Sequence, residues 1–214
     1  CVGSADCCVT VYELSNQDVC GRVTALDSIP SAIECFQRPT LAMAEERGGM
    51  GGTANRNNAH IVIGDSAGWL HVLPLHEEFG NSSEVGMKKK NQLLFAESAQ
   101  HMHKVRVHGD WITKLLYVSE VNALITASGD STLRFVDVEK WQVLKTFSGH
   151  QATSLGIRTF SWSAFNRFII SGADRVLLFW DAFTLDVISR IDNLRSPVIM
   201  VEVQDRQQKV RSWG

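Results

Sequence analysis

A pattern that occurs twice between His108 and Asp181 leaves this chain few ways to fold. His108 leads into the apolar run Trp111 to Val118, then Ala123 to Ser128, the turn pair Gly129-Asp130, and Leu133 to Asp137. In the second copy Gly149-His150 leads into Leu155 to Ser163, Phe168 to Ser171, the turn Gly172-Ala173-Asp174, and Val176 to Trp180-Asp181. Asp130 and Asp174 lie 44 residues apart, as do Asp137 and Asp181, and His108 and His150 lie 42 apart. Short apolar runs separated by Gly-Asp turns read as antiparallel strands, and this period is that of a four-stranded propeller blade.

Other parts of the chain fit the same unit. Asp6 occupies a turn like those of Asp130 and Asp174, followed by an alternating strand from Cys8 to Leu14 and an outer strand from Gly21 to Asp27. Residues 1–28 are therefore expected to end a blade. A second blade is expected over 29–100, with Ile29 to Phe36 innermost, His60 to Ile63 and Trp69 to Leu75 around the turn Gly64 to Gly68, and Leu93 to Ala96 outermost. Two loops, 38–58 and 76–100, interrupt it. The first holds Arg47 to Gly52 and Asn55 to Asn58, with too little apolar surface to offset the entropy of ordering. Residues 101–148 and 149–193 form two regular blades, and 194–214 begin another. The fold class expected is all-β: a partial propeller of about four blades and part of a fifth, each blade four antiparallel strands.

The 44% hydrophobic content suits a packed core, and 21 basic against 23 acidic residues leave a net charge of -2. No global field draws nucleic acid or an anionic membrane. The longest apolar runs are much shorter than the roughly 18 residues of a membrane helix. Five cysteines, at 1, 7, 8, 20 and 35, are odd in number and clustered, which fits a reducing compartment better than a disulfide framework. The opening on Cys1 instead of methionine, and a count of blades short of a closed ring, point to a longer protein.

Gly149-His150 through Trp180-Asp181 resembles the WD40 repeat, and His108 to Asp137 looks like a degenerate copy in which Val136-Asp137 replaces Trp-Asp. More narrowly, Gly64-Asp65-Ser66-Ala67-Gly68-Trp69-Leu70 and Phe160-Ser161-Trp162-Ser163 are similar to the large ciliary and flagellar WD-repeat proteins, some of which carry EF-hands. The resemblance implies a blade network of His150, Ser171, Asp174 and Trp180, with Asp181 completing the repeat. His108, Ser128 and Asp130 would take the same places in the earlier copy, and Asp65 the turn place before it. Val136 cannot donate as an indole does, which would leave that network incomplete at a cost on the order of 1 kcal/mol.

Chemical readings compete poorly with this scaffold. His150, Ser171 and Asp174 are the residue types of a hydrolase triad, but no nucleophile-elbow sequence surrounds the serine. His101, His103 and His108 lack metal-site spacing, Gly48 to Gly52 lacks the features of a phosphate loop, and no calcium loop is present. No catalytic residue, cofactor, metal or small-molecule substrate is expected. Trp141, after Glu139-Lys140 in a turn, is the candidate partner contact. The expected function is a non-catalytic scaffold for other proteins, cytoplasmic and of ciliary type. The alternatives are a propeller segment of an enzyme, or a nucleic-acid or chromatin-associated propeller using Lys88 to Lys90.

Overall fold

The computed structural model describes residues 1–12, 18–24, 26–38, 59–75, 99–151, 155–205 and 209–214. The first sheet holds β1 (Val2–Ser4), β2 (Cys8–Tyr12) and β3 (Val19–Val23). The second holds β4 (Pro30–Gln37), β5 (Ala59–Asp65), β6 (Trp69–Pro74) and β7 (His103–Arg106). The third is built from β8 (Ile112–Val118), β9 (Ala123–Ser128), β10 (Thr132–Asp137) and β11 (Val143–Ser148). The fourth follows with β12 (Thr159–Ser163), β13 (Phe168–Ala173), β14 (Val176–Asp181) and β15 (Val187–Ile191), and β16 (Met200–Gln204) pairs with β17 (Lys209–Trp213). Every pairing is antiparallel and follows chain order. The architecture is a partial propeller, all-β as the repeat demands.

Burial explains why the strands read as they do. The second strand of a blade is flanked by strands on both edges and by sheets on both faces, so β9 is buried at all its positions and β13 at all but Phe168. Such strands show as continuous apolar runs, whereas the outermost strand β15 is exposed throughout. Four apolar clusters fill the spaces between successive sheets. One includes Val9, Ile61 and Leu73, the next Val62, Ile112 and Leu124, the next Ile125, Phe160 and Trp180, and the last Ile170, Val198 and Val201.

Side chains of the innermost strands tie each blade to the next. The Ser31 hydroxyl donates to the Ile112 carbonyl at 2.6 Å, and Thr113 donates to the Ile157 carbonyl at 2.6 Å. Lys114 Nζ donates to the Phe160 carbonyl at 2.7 Å, while Thr159 and Ser161 accept from the amides of Val201 and Val203. One small residue near the end of each second strand lets the blades close together. A Cβ on Gly64 would stand 2.7 Å from Ile112 Cγ2, one on Gly172 would stand 2.5 Å from Val198 Cγ1, and the third sheet has Ala127 at this place.

Several boundaries differ from those read in the sequence. The outermost strand of the second sheet is β7, so that blade passes the boundary at residue 100, while Leu93 to Ala96 lies outside the described residues. Most of both long loops, with Gly48 to Gly52 and Lys88 to Lys90, also lies outside them. The outer strand of the first sheet is Val19–Val23 instead of Gly21 to Asp27. The last residues form a paired strand, β17, where the sequence pattern had broken off.

Candidate functional site

The polar network between the third and fourth blades is built around Ser171, which is fully buried on β13. Trp180 Nε1 donates to Ser171 Oγ at 2.8 Å, and Ser171 Oγ lies 2.6 Å from His150 Nε2. An indole nitrogen only donates, so the serine proton is free to go to His150 Nε2, which makes that nitrogen the acceptor. A protonated His150 would have to donate there and strand the serine proton. Burial, with Arg190 nearby, lowers the His150 pKa to about 4, which keeps that nitrogen neutral. Among the described residues Asp174 makes no side-chain hydrogen bond to His150; its carbonyl accepts from the Val198 amide at 2.6 Å. His150, Ala173, Asp174 and Arg190 instead line a small cavity of about 50 Å³. Trp180, His150 and Ser171 therefore meet as the repeat implies, and Asp174 does not join them.

The third blade closes its network differently from the expectation. His108 Nε2 lies 2.7 Å from Thr126 Oγ1, and Ser128 donates to the Asp110 carbonyl at 3.0 Å. The place of Ser171 thus belongs to Thr126, not Ser128. The turn after β9 spans three residues and the turn after β13 two, so the two Asp residues and the third strands align at 44 while the second strands align at 45. Thr126 Oγ1 also donates to the Arg134 carbonyl at 3.4 Å, so its proton is used on the backbone and no indole donor is present at its oxygen. With Val136 in the tryptophan place, neither His108 nor Thr126 is left with an unpartnered buried atom.

Asp130 collects the rest of this network. His108 Nδ1 is 3.0 Å away, the Gly109 amide donates at 3.0 Å, and Thr132 donates from its amide at 3.0 Å and its hydroxyl at 2.6 Å. Burial opposes its charge, but these donors win and hold its carboxyl far below the usual range. Burial likewise lowers the pKa of His108, against the pull of Asp130.

Asp65 does not stand in the turn, as Asp130 does, but ends β5 fully buried. Ser28 donates to it at 2.5 Å, His71 Nε2 lies 2.9 Å away, and the amides of Ala67 and Trp69 donate at 2.9 Å each. Burial raises its pKa and these four contacts more than compensate, leaving it lowered. His71 and Ser28 escaped the sequence reading because a histidine in the third strand replaces the histidine before the first.

Asp137 and Asp181 hold the turns that follow the third strands. Asp137 accepts from the amides of Glu139 and Lys140 at 2.7 and 3.0 Å, and Asp181 from Phe183 and Thr184 at 2.7 and 2.9 Å. These bonds lower both carboxyl pKa values. Trp141 and Leu185 take the same left-handed position at the end of these turns. Trp141 is partly buried instead of free for a partner: it packs on the second cluster of Val62 and Ile112 and lies 5.9 Å from the His60 ring. Phe36 stacks between His60 and Tyr117 beside it, at 5.6 and 4.1 Å.

Each blade's antiparallel order puts its first and third connections at one rim. At that rim of the fourth blade the turns carry Phe165 and Phe183, 72% and 53% exposed, with Lys145 and Arg167 within 6 Å of the Phe183 ring. The connections 39–58 and 76–98 leave the second blade at the same rim. Among the described residues no group of three His, Cys, Asp or Glu side chains gathers for a metal, and no helix is long and apolar enough to cross a membrane.

Residues 141–181 match the family model "WD domain, G-beta repeat". The match runs from β11 through β14, so it straddles the third and fourth sheets and has His150 near its start. Among solved structures the chain is similar to a chain of the "Crystal Structure of Mitotic Checkpoint Complex", with a TM-score of 0.67 and 13% identity, covering 98% of this chain and 52% of that one. The chain thus spans about half the length of the structure it resembles. No curated protein matches it. It carries a WD40 repeat at residues 141–181, within a fold that is a partial WD40-like β-propeller.

Proposed function

We propose that the chain is a non-catalytic scaffold that holds proteins in a multiprotein assembly. The WD40 repeat and the propeller fold support protein binding as the general role, and a chain of similar fold occurs in a mitotic checkpoint complex. The observation that carries the reading is the asymmetry of the rims. Both long connections of the second blade and the exposed Phe165 and Phe183 share one rim of a frame whose polar side chains are spent on holding blades together. Ser171, bound to an indole and a histidine, illustrates that use. The narrower proposal, a cytoplasmic protein of ciliary type, rests on the Gly64 to Leu70 and Phe160 to Ser163 resemblance. Localisation of the tagged protein tests it, and exclusion from cilia would end it.

The scaffold reading is tested by affinity capture at low and high salt. Bait carrying Phe165→Ser with Phe183→Ser is compared with bait carrying Arg195→Ala, at an exposed position on the opposite rim. Proteins held at high salt, lost with the double phenylalanine variant and kept with the arginine variant are the expected result. Capture dominated by nucleic acid that salt removes would favour the nucleic-acid reading. Equal capture by the wild-type chain and both variants would refute the assignment of this rim.

A further inference from the structure

We propose that Cys1 and Cys35 form a redox-controlled clasp between the first and second blades, closing as a disulfide in the presence of a low-molecular-weight disulfide. The two sulfur atoms lie 3.7 Å apart in the reduced protein, and both residues are exposed. Cys1 precedes β1 and Cys35 lies on β4, so they face each other across the space between the sheets. Gly3 lets the two sheets approach this closely, since a Cβ there would stand 3.1 Å from Pro30 and 3.6 Å from Ile33. The separation is that of two sulfurs in van der Waals contact, and bonding distance of about 2 Å is a small step away.

The other cysteines are poorly placed for this chemistry. Cys8 and Cys20 are buried, with their thiols 3.4 and 4.0 Å from the carbonyls of Asp6 and Asp18, and Cys7 is half-buried in the left-handed region. The Cys1 thiolate attacks one sulfur of the small disulfide, forming a mixed disulfide and releasing one small thiolate. Cys35 then gives its proton to solvent and attacks the Cys1 sulfur, displacing the second small thiolate. Two protein thiols are oxidised and one small disulfide is reduced to two thiols. Packing against the neighbouring blade partly desolvates the Cys35 thiol and raises its pKa although its surface is exposed, so closure speeds up as pH rises. The bridge would join residues 34 apart in sequence and lock two blades whose shared core is Val9, Val11, Ile61 and Ile63. The inference does not depend on the scaffold role.

The test incubates the full chain with glutathione disulfide at mildly alkaline pH, followed by acid quench and intact mass on one portion and by alkylation and non-reducing peptide mapping on another. The expected product is lighter than the reduced protein by two hydrogen atoms, joins the Cys1 and Cys35 peptides, and melts several degrees higher until dithiothreitol is added. Cys35→Ser, an exposed substitution, should stop at a stable glutathione adduct on Cys1. A wild-type protein that does not react, that keeps the glutathione adduct as the variant does, or whose bridge maps to Cys7, Cys8 or Cys20 would overturn the proposal.

Discussion

Ser171→Ala removes one oxygen and unpairs two nitrogens. The Trp180 side chain is 1% exposed, so its indole N–H loses a 2.8 Å bond with no route to water. An unsatisfied buried donor costs about 1–3 kcal/mol. His150 loses the bond to its Nε2 as well, but it is only partly buried and can recover some solvation, which adds less than about 1 kcal/mol. A total of about 2–4 kcal/mol is expected, with little offset from the small cavity, and denaturant unfolding followed by tryptophan fluorescence measures it. The same variant has a second readout. In the wild type His150 titrates at about 4 when folded and near 6.5 when unfolded, so the unfolded chain binds more protons between these values. Stability contributed by the neutral imidazole is present above pH 6.5 and is lost as pH falls towards 4. The full shift corresponds to about 3 kcal/mol, or about 2 kcal/mol after allowance for partial exposure. Burial and Arg190 cause this shift and both remain in Ser171→Ala, so the variant should lose stability at neutral pH yet keep the acid slope. A loss under about 0.5 kcal/mol would show that the three side chains do not act as one network, and a slope flattened between pH 6.5 and 4 would show that the serine sets the His150 pKa in place of burial.

Other consequences of the same packing can be measured directly. Gly172→Val forces a side chain into Val198 and should cost about 1–3 kcal/mol in thermal or chemical unfolding, with Gly172→Ala milder because Ala127 is tolerated at that place; equal costs would mean that the sheets can separate freely. Asp130→Ala removes the acceptor of four hydrogen bonds and should lower stability by about 2–4 kcal/mol, and the wild-type contribution should be lost only in strong acid, because its folded pKa is lowered; a loss already complete near pH 5 would contradict the network. Met200 and Trp213 are 51% and 42% exposed on the last strand pair, which a sheet covers on one face only, so this chain by itself should self-associate in light scattering, and Met200→Lys with Trp213→Lys should reduce it; a monomer at all concentrations would refute the expectation.

What the sequence disclosed and what it hid divide along a physical line. Strand period, antiparallel order and the interior of the two regular blades were readable, because burial on both faces makes β9 and β13 nearly pure apolar runs and the turns between strands need Gly and Asp. The network's membership was only half readable. Aligning the copies by their aspartates put Ser171 against Ala127, one residue off because one turn is a residue shorter than the other, and taking the adjacent Ser128 added a second. Alignment by strand ends would have paired Ser171 with Thr126. Asp65 was misassigned for a related reason: the polar group that a blade must bury can come from the last strand position as well as from the turn, provided partners such as Ser28 and His71 arrive from elsewhere. Trp141 looked exposed because a turn is usually on the surface, yet its backbone takes the left-handed position that aims the ring at His60. The fold tolerates this exchange of donors because the requirement it enforces is local and chemical. Each interface between blades must pair most of the polar atoms it buries, and Trp180 with Ser171, Thr126 with the Arg134 carbonyl, and Asp65 with Ser28 and His71 are three ways of doing so on one frame, the last leaving His71 Nδ1 without a partner. A repeat can therefore lose its signature residues while its neighbours remain packed, and the identity of individual side chains says less about membership in the ring than the spacing of the strands that carry them.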